Sequence, residues 1–97
     1  TVWPWLLGSY VTAVMKLTGD AGRARLALEK VPEMLTDFGI GGIAEVYDGD
    51  APQRANGCPW QAWSVAEILR AIREDLSSKA PIMGKTKAAK TPPKPSK

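Results

Sequence analysis

Apolar residues recur at helical spacing in three stretches of the chain, separated by one long stretch in which no such period holds. Leu7, Tyr10, Val11, Val14 and Leu17 form a one-sided stripe. They predict a first helix from Pro4, whose ring suits a first turn where no N–H is needed. Gly19 supplies the expected stop, and Asp20 the cap of the next helix. That second helix is expected from about Ala21 to Phe38, with Ala24, Leu28, Val31, Leu35 and Phe38 along one face. Pro32 lies inside it and should kink or break it, because proline has no N–H to give to the preceding turn. A third helix is expected from near Pro59, with Val65, Ile68, Leu69, Ile72 and Leu76 as its stripe and Glu74 one turn after Arg70.

Gly39 closes the second helix, and from there to about Cys58 six glycines or prolines interrupt any period. Ile43 to Tyr47 suits a short extended piece. A helix-free connection of roughly twenty residues is uncommon in a compact domain and is mostly functional or disordered. Ile40, Ile43, Val46 and Tyr47 make this one too apolar for a linker, so it reads as a structured loop laid across helix ends. After Ser78 the pattern stops. Residues 79–97, rich in Lys, Pro and Ala, cannot bury a core and read as a disordered tail. The expected organisation is an all-α body, residues 1–78, followed by that tail.

Ninety-seven residues allow one small domain at most. The net charge of +3 divides unevenly: residues 79–97 hold six lysines and no acid, and the remaining seven Lys/Arg face all ten Asp/Glu. The body is therefore mildly acidic, which argues against a nucleic-acid-binding surface. No apolar run approaches the ~18–20 residues that cross a bilayer, so no membrane partner is expected. The N-terminal stretch has no secretory pattern, which gives a cytoplasmic expectation. Thr1 leads straight into an apolar segment, as expected of a piece of a longer protein. One cysteine and no histidine argue against disulfide scaffolds, zinc sites and His-based triads, and no cofactor is expected.

The polar groups of interest sit in the loop. Asp48 and Asp50 have the spacing of the first ligands of a calcium loop, but its sixth and twelfth positions hold Gln53 and Pro59 in place of glycine and glutamate. Gly39-Ile40-Gly41-Gly42 matches no phosphate-binding fingerprint. Cys58 has no histidine to activate it and reads as a small buried apolar side chain. Glu45, between Ala44 and Val46, is either a general base or a surface residue on an alternating strand. The tryptophans come in two pairs, Trp3 with Trp5 and Trp60 with Trp63, each beside a helix start. They are either core packing or flat walls for the C–H face of a sugar ring.

Three separated segments taken together carry a resemblance: Thr1-Val2-Trp3-Pro4-Trp5-Leu6-Leu7-Gly8, Ile43-Ala44-Glu45-Val46-Tyr47-Asp48-Gly49-Asp50 and Gly57-Cys58-Pro59-Trp60-Gln61-Ala62-Trp63-Ser64-Val65-Ala66-Glu67. In order and spacing, over residues 1–76, the chain resembles the C-terminal end of the bacterial and archaeal glycogen debranching enzymes. That resemblance implies the last three helices of an (α/α)6 barrel of the six-hairpin glycosidase type. It implies hydrolysis of α-1,6-glucosidic branch points of glycogen or a related α-glucan, with inversion, by a carboxylic acid and a carboxylate base. Glu45 matches the family's base. Trp3 and Trp5 match a segment at the barrel mouth, Asp48 and Asp50 would shape the loop or bind sugar hydroxyls, and Gln61 and Trp63 match a segment that supports the base from behind. The family's acid lies earlier in its chain and has no counterpart here, so the remainder of a parent catalytic domain is the expected partner. Alone, the chain is expected to be inactive and partly molten or aggregated. Ala44 stands where the family often has serine, and Trp60 where it usually has a small residue. Two other classes remain open: a different (α/α)6 hydrolase, glucoamylase- or trehalase-like, and a non-enzymatic helical module whose Lys/Pro tail binds nucleic acid or an acidic partner.

Overall fold

A computed structural model of the chain describes residues 1–77. The expected tail, residues 79–97, lies outside the described residues. The chain is mostly helical, with one small two-stranded sheet. The helices are α1 (Leu6–Thr18), α2 (Ala21–Leu26), α3 (Val31–Met34) and α4 (Ala62–Arg70), the last running on into a π-helical turn, Ala71–Asp75. The strands are β1 (Val46–Tyr47) and β2 (Ala55–Asn56), antiparallel, with Val46 opposite Asn56 and Tyr47 opposite Ala55. The expectation of an all-α body is corrected to this extent.

The first helix is entered earlier than its regular part: the Leu6, Leu7 and Gly8 N–H groups donate to the carbonyls of Trp3, Pro4 and Trp5. Gly19 ends it with φ +65°, a conformation costly for residues with a Cβ, and its N–H returns to the Met15 carbonyl. One residue later Asp20 accepts the Arg23 N–H and caps α2, as its sequence position predicts.

The expected second helix is divided. Over Ala27–Lys30 the N–H groups of Ala27, Leu28 and Glu29 reach back three residues, and Val31 N–H takes the Leu28 carbonyl. In an unbroken helix that carbonyl would belong to residue 32, which is proline and has no N–H to give. The break therefore precedes Pro32, which lies in the first turn of α3, where its missing donor costs nothing. The third helix begins at Ala62, three residues after the expected Pro59.

Val11, Ala24, Leu28, Ile43, Ala44, Tyr47, Ile68, Ala71 and Leu76 form the core, flanked by Leu7, Val14, Met15 and Leu35. Only part of each predicted stripe is in it. Leu17 remains 85% exposed, Tyr10 57% and Leu69 55%, while Val11 and Ile68 are buried. The helices carry more apolar surface than this fold covers.

Gly8 lets α1 approach α4. A Cβ there would stand 2.7 Å from the Glu67 carbonyl oxygen and 2.9 Å from its Cβ, so no larger residue fits the crossing. Beside it Arg70 donates to both Glu67 carboxylate oxygens, at 2.9 and 3.0 Å, to Asp75 at 3.1 Å and to the Thr12 hydroxyl at 3.0 Å. Thr12 donates in turn to Asp75. One guanidinium thus ties α1, α4 and the π-helical turn together. Bidentate pairing makes the fork geometry specific. Arg25 adds a further tie, donating to the Leu76 carbonyl at 3.0 Å.

Candidate functional site

Main-chain hydrogen bonds draw the three separated segments into one place. Val2 and Tyr47 exchange both N–H···O bonds at 2.8 Å, which fastens the N-terminal tryptophan segment to β1. Glu45 N–H donates to the Cys58 carbonyl at 2.9 Å, and Gln61 N–H to the Ile43 carbonyl at 2.9 Å. The Ser64 hydroxyl, fully buried, donates to the Ala44 carbonyl at 3.1 Å. The bonds from Cys58, Gln61 and Ser64 anchor the segment 43–45, just before β1, to the start of α4.

Glu45 is partly exposed. Its Oε2 accepts the Cys58 N–H at 3.0 Å. This contact follows from Gly57, which has φ +75° at the end of the β1–β2 ladder and turns the next N–H toward the carboxylate.

Trp3 and Trp63 pack edge to face, with ring centroids 6.4 Å apart and planes at 67°. Trp63 is nevertheless 53% exposed, so its ring contributes a surface wall as well as a contact. Trp5 is exposed on the same N-terminal segment. Trp60 lies against Gly39 and Gly42, both buried, where a Cβ would collide with the indole. That packing gives the glycine-rich stretch a physical reason that no phosphate fingerprint supplied.

Asp48 and Asp50 lie in the exposed β1–β2 loop and shape it. Asp48 Oδ1 accepts from Asn56 Nδ2 at 3.0 Å, and the Asp50 carbonyl accepts the Gln53 N–H at 2.8 Å. Gln61 reaches the loop through its backbone N–H, which donates to the Ile43 carbonyl two residues before Glu45. Cys58 corrects the sequence expectation: its side chain is exposed, with Sγ 3.1 Å from the Trp60 carbonyl oxygen. Its main chain is what joins it to the loop, the N–H donating to Glu45 Oε2 and the carbonyl accepting the Glu45 N–H.

An open groove of about 720 Å³ runs along the other side of the N-terminal segment. Val2, Pro4, Leu7, Met34 and Tyr47 make its apolar floor, and Lys30, Glu33, Asp37, Asp48 and Gln53 its rim. Asp48 reaches it, while Glu45, Trp3, Trp5 and Asp50 do not line it. The Tyr47 hydroxyl is buried without a hydrogen bond of good geometry among the described residues. Burial pushes its phenol above the ordinary 10.0, with the nearby Ala44 main chain pulling weakly the other way and the Asp37 charge adding to the rise.

Among the described residues no group of three Cys, Asp or Glu side chains is placed to hold a metal ion, and no helix is long and apolar enough to cross a membrane. A family model described as amylo-alpha-1,6-glucosidase matches residues 1–70. No curated protein and no solved structure gives a significant match.

Proposed function

The chain belongs to the amylo-alpha-1,6-glucosidase family, and from that premise we propose that it is the base-bearing C-terminal part of a debranching glycosidase with an (α/α)6 catalytic barrel. The substrate is an α-1,6 branch point of glycogen or a related α-glucan. Glu45 is the general base. It takes a proton from water as the water oxygen bonds to the anomeric carbon. The bond from that carbon to the leaving glucan oxygen breaks, and a carboxylic acid elsewhere in the barrel protonates that oxygen. Inverting enzymes keep their two carboxyl groups ~6.5–9.5 Å apart so that this water fits between base and sugar.

The observation that carries the reading is the convergence on Glu45. The tryptophan segment, the loop and the start of α4 are joined by main-chain bonds, and the Glu45 carboxylate among them is left partly exposed. Trp3 and Trp5 serve as walls for sugar C–H faces, Trp63 braces Trp3, and Asp48 and Asp50 hold the loop or meet sugar hydroxyls. The uncovered apolar faces around Leu17, Tyr10 and Leu69 are the surfaces that the remaining barrel helices would bury. The body is residues 1–78, and residues 79–97 stand apart from this chemistry.

The stereochemical outcome tests the reading. Proton NMR of the enzyme carrying this segment, acting on a branched α-glucan, should show β-glucose as the first-released anomer. Release of α-glucose would mean retention, and so a carboxylate acting as nucleophile rather than as base.

A further inference from the structure

The Glu45 carboxylate is held by main chain. Oε2 accepts the Cys58 N–H at 3.0 Å, and the Glu45 N–H donates to the Cys58 carbonyl at 2.9 Å, so residues 45 and 58 grip each other twice. Gly57 is what permits the grip. Its φ of +75° lies where L side chains are strained, and a Cβ there would stand 2.6 Å from Oε2 and 3.1 Å from the Glu45 Cβ. Oε1, by contrast, takes no hydrogen bond among the described residues.

We propose that Gly57 and the Cys58 N–H are positioning groups for the base: they pin Oε2 and leave Oε1 as the oxygen that takes the proton from water. The assignment rests on the reading of Glu45 given above. A glutamate side chain has three rotatable bonds, and a charge-assisted hydrogen bond from a fixed main-chain donor holds one of its oxygens in place. The N–H remains on Oε2 while the water O–H bond breaks and the new O–H bond forms at Oε1, so the carboxyl plane does not turn during the step. Next to Glu45, the buried Ser64 hydroxyl on the Ala44 carbonyl holds the preceding residue in place.

Three variants of the enzyme that carries this segment test the assignment on a branched α-glucan. Gly57→Ala should lower kcat about 10- to 100-fold with KM little changed, the loss expected when a reacting group is displaced by about 1 Å. Replacing the Cys58 N–H by an ester oxygen removes the donor without adding a Cβ, and should lower kcat to a similar degree. That second variant decides the question if Gly57→Ala does not fold. Glu45→Gln is the reference and should be inactive. Wild-type kcat in the ester variant, or a change confined to KM, overturns the positioning role while leaving Glu45 as the base. Near-normal turnover in Glu45→Gln overturns the functional reading and the positioning role with it.

Discussion

The seam between α1 and α4 and the loop that carries Glu45 are held by different kinds of bond. At the seam, side chains do the joining: Arg70 reaches Glu67, Asp75 and Thr12 from a position about 30% exposed to solvent. In the loop the joining is mostly main chain, through Glu45 with Cys58, Ile43 with Gln61 and Val2 with Tyr47, to which the Glu45 carboxylate and the fully buried Ser64 hydroxyl each add a bond to main chain. Water can replace much of what a lost partner gave at the seam, so single polar losses there are cheap. In the loop the loss of Ser64 leaves the buried Ala44 carbonyl unpaired, which costs more. The helix seam tolerates change in its charges, and the loop holds a carboxylate to a fixed geometry.

The sharpest way to break the seam is therefore steric. Gly8→Val should force α1 away from Glu67 and destabilise the fold by about 1–3 kcal/mol, the usual cost of overpacking. Hydrogen exchange should show it as faster exchange across α1 and α4 together. Unchanged protection would mean that the crossing has slack.

An effect of similar size but more local is expected in the loop. Ser64→Ala strips the buried Ala44 carbonyl of its hydroxyl donor, a loss of about 1–3 kcal/mol. The Glu45 and Gln61 amides should lose protection ahead of those in α1. Uniform loss across all helices would contradict the separation drawn here between loop and seam.

The smallest effect is the pH dependence of the seam. Hydrogen bonds from Arg70 hold the Glu67 carboxyl below its ordinary 4.5, against partial burial and the neighbouring Asp75 charge. A folded-state pKa lowered in this way stabilises the fold above about pH 4.5. That contribution is lost as pH falls through the lowered value. Because the pair is partly solvated, the whole contribution should remain below about 1 kcal/mol. Denaturant melts from pH 6 to 3 should show a slightly flatter acid limb in Glu67→Gln; an equal slope would remove this carboxylate from the balance.

Much of the helical frame is legible in the sequence. The Gly19–Asp20 junction follows from one residue that tolerates a left-handed backbone and one that caps, and Pro32 announces a break because it lacks a donor. The charged seam is half visible, in the one-turn spacing of Arg70 and Glu74, which meet at a loose 3.7 Å. Glu67, one turn before Arg70 on the same helix, has an equally readable spacing, whereas Asp75 meets Arg70 only through the π-helical turn. The loop is less legible. Strands of two residues have no period to detect, and the contacts from Glu45 to Cys58 and from Ser64 to Ala44 join residues 13 and 20 apart in the chain. The exposed thiol of Cys58 was hidden for the same reason, since its surroundings are fixed by the turn at Gly57. The apolar stripes overstate the core because periodicity marks surface fit for burial, not the surface this chain covers by itself.

The central claim, that a carboxylate fixed by this loop activates water at a branch point, is tested most directly by Glu45→Gln in the enzyme that carries this segment. Debranching turnover and glucan binding should be measured side by side. Glutamine keeps the size and an oxygen to accept the Cys58 N–H but cannot take a proton from water, so turnover should fall by at least the ~10²–10⁴-fold that general-base catalysis supplies, with glucan affinity nearly unchanged. Turnover close to that of the unaltered enzyme would contradict the claim.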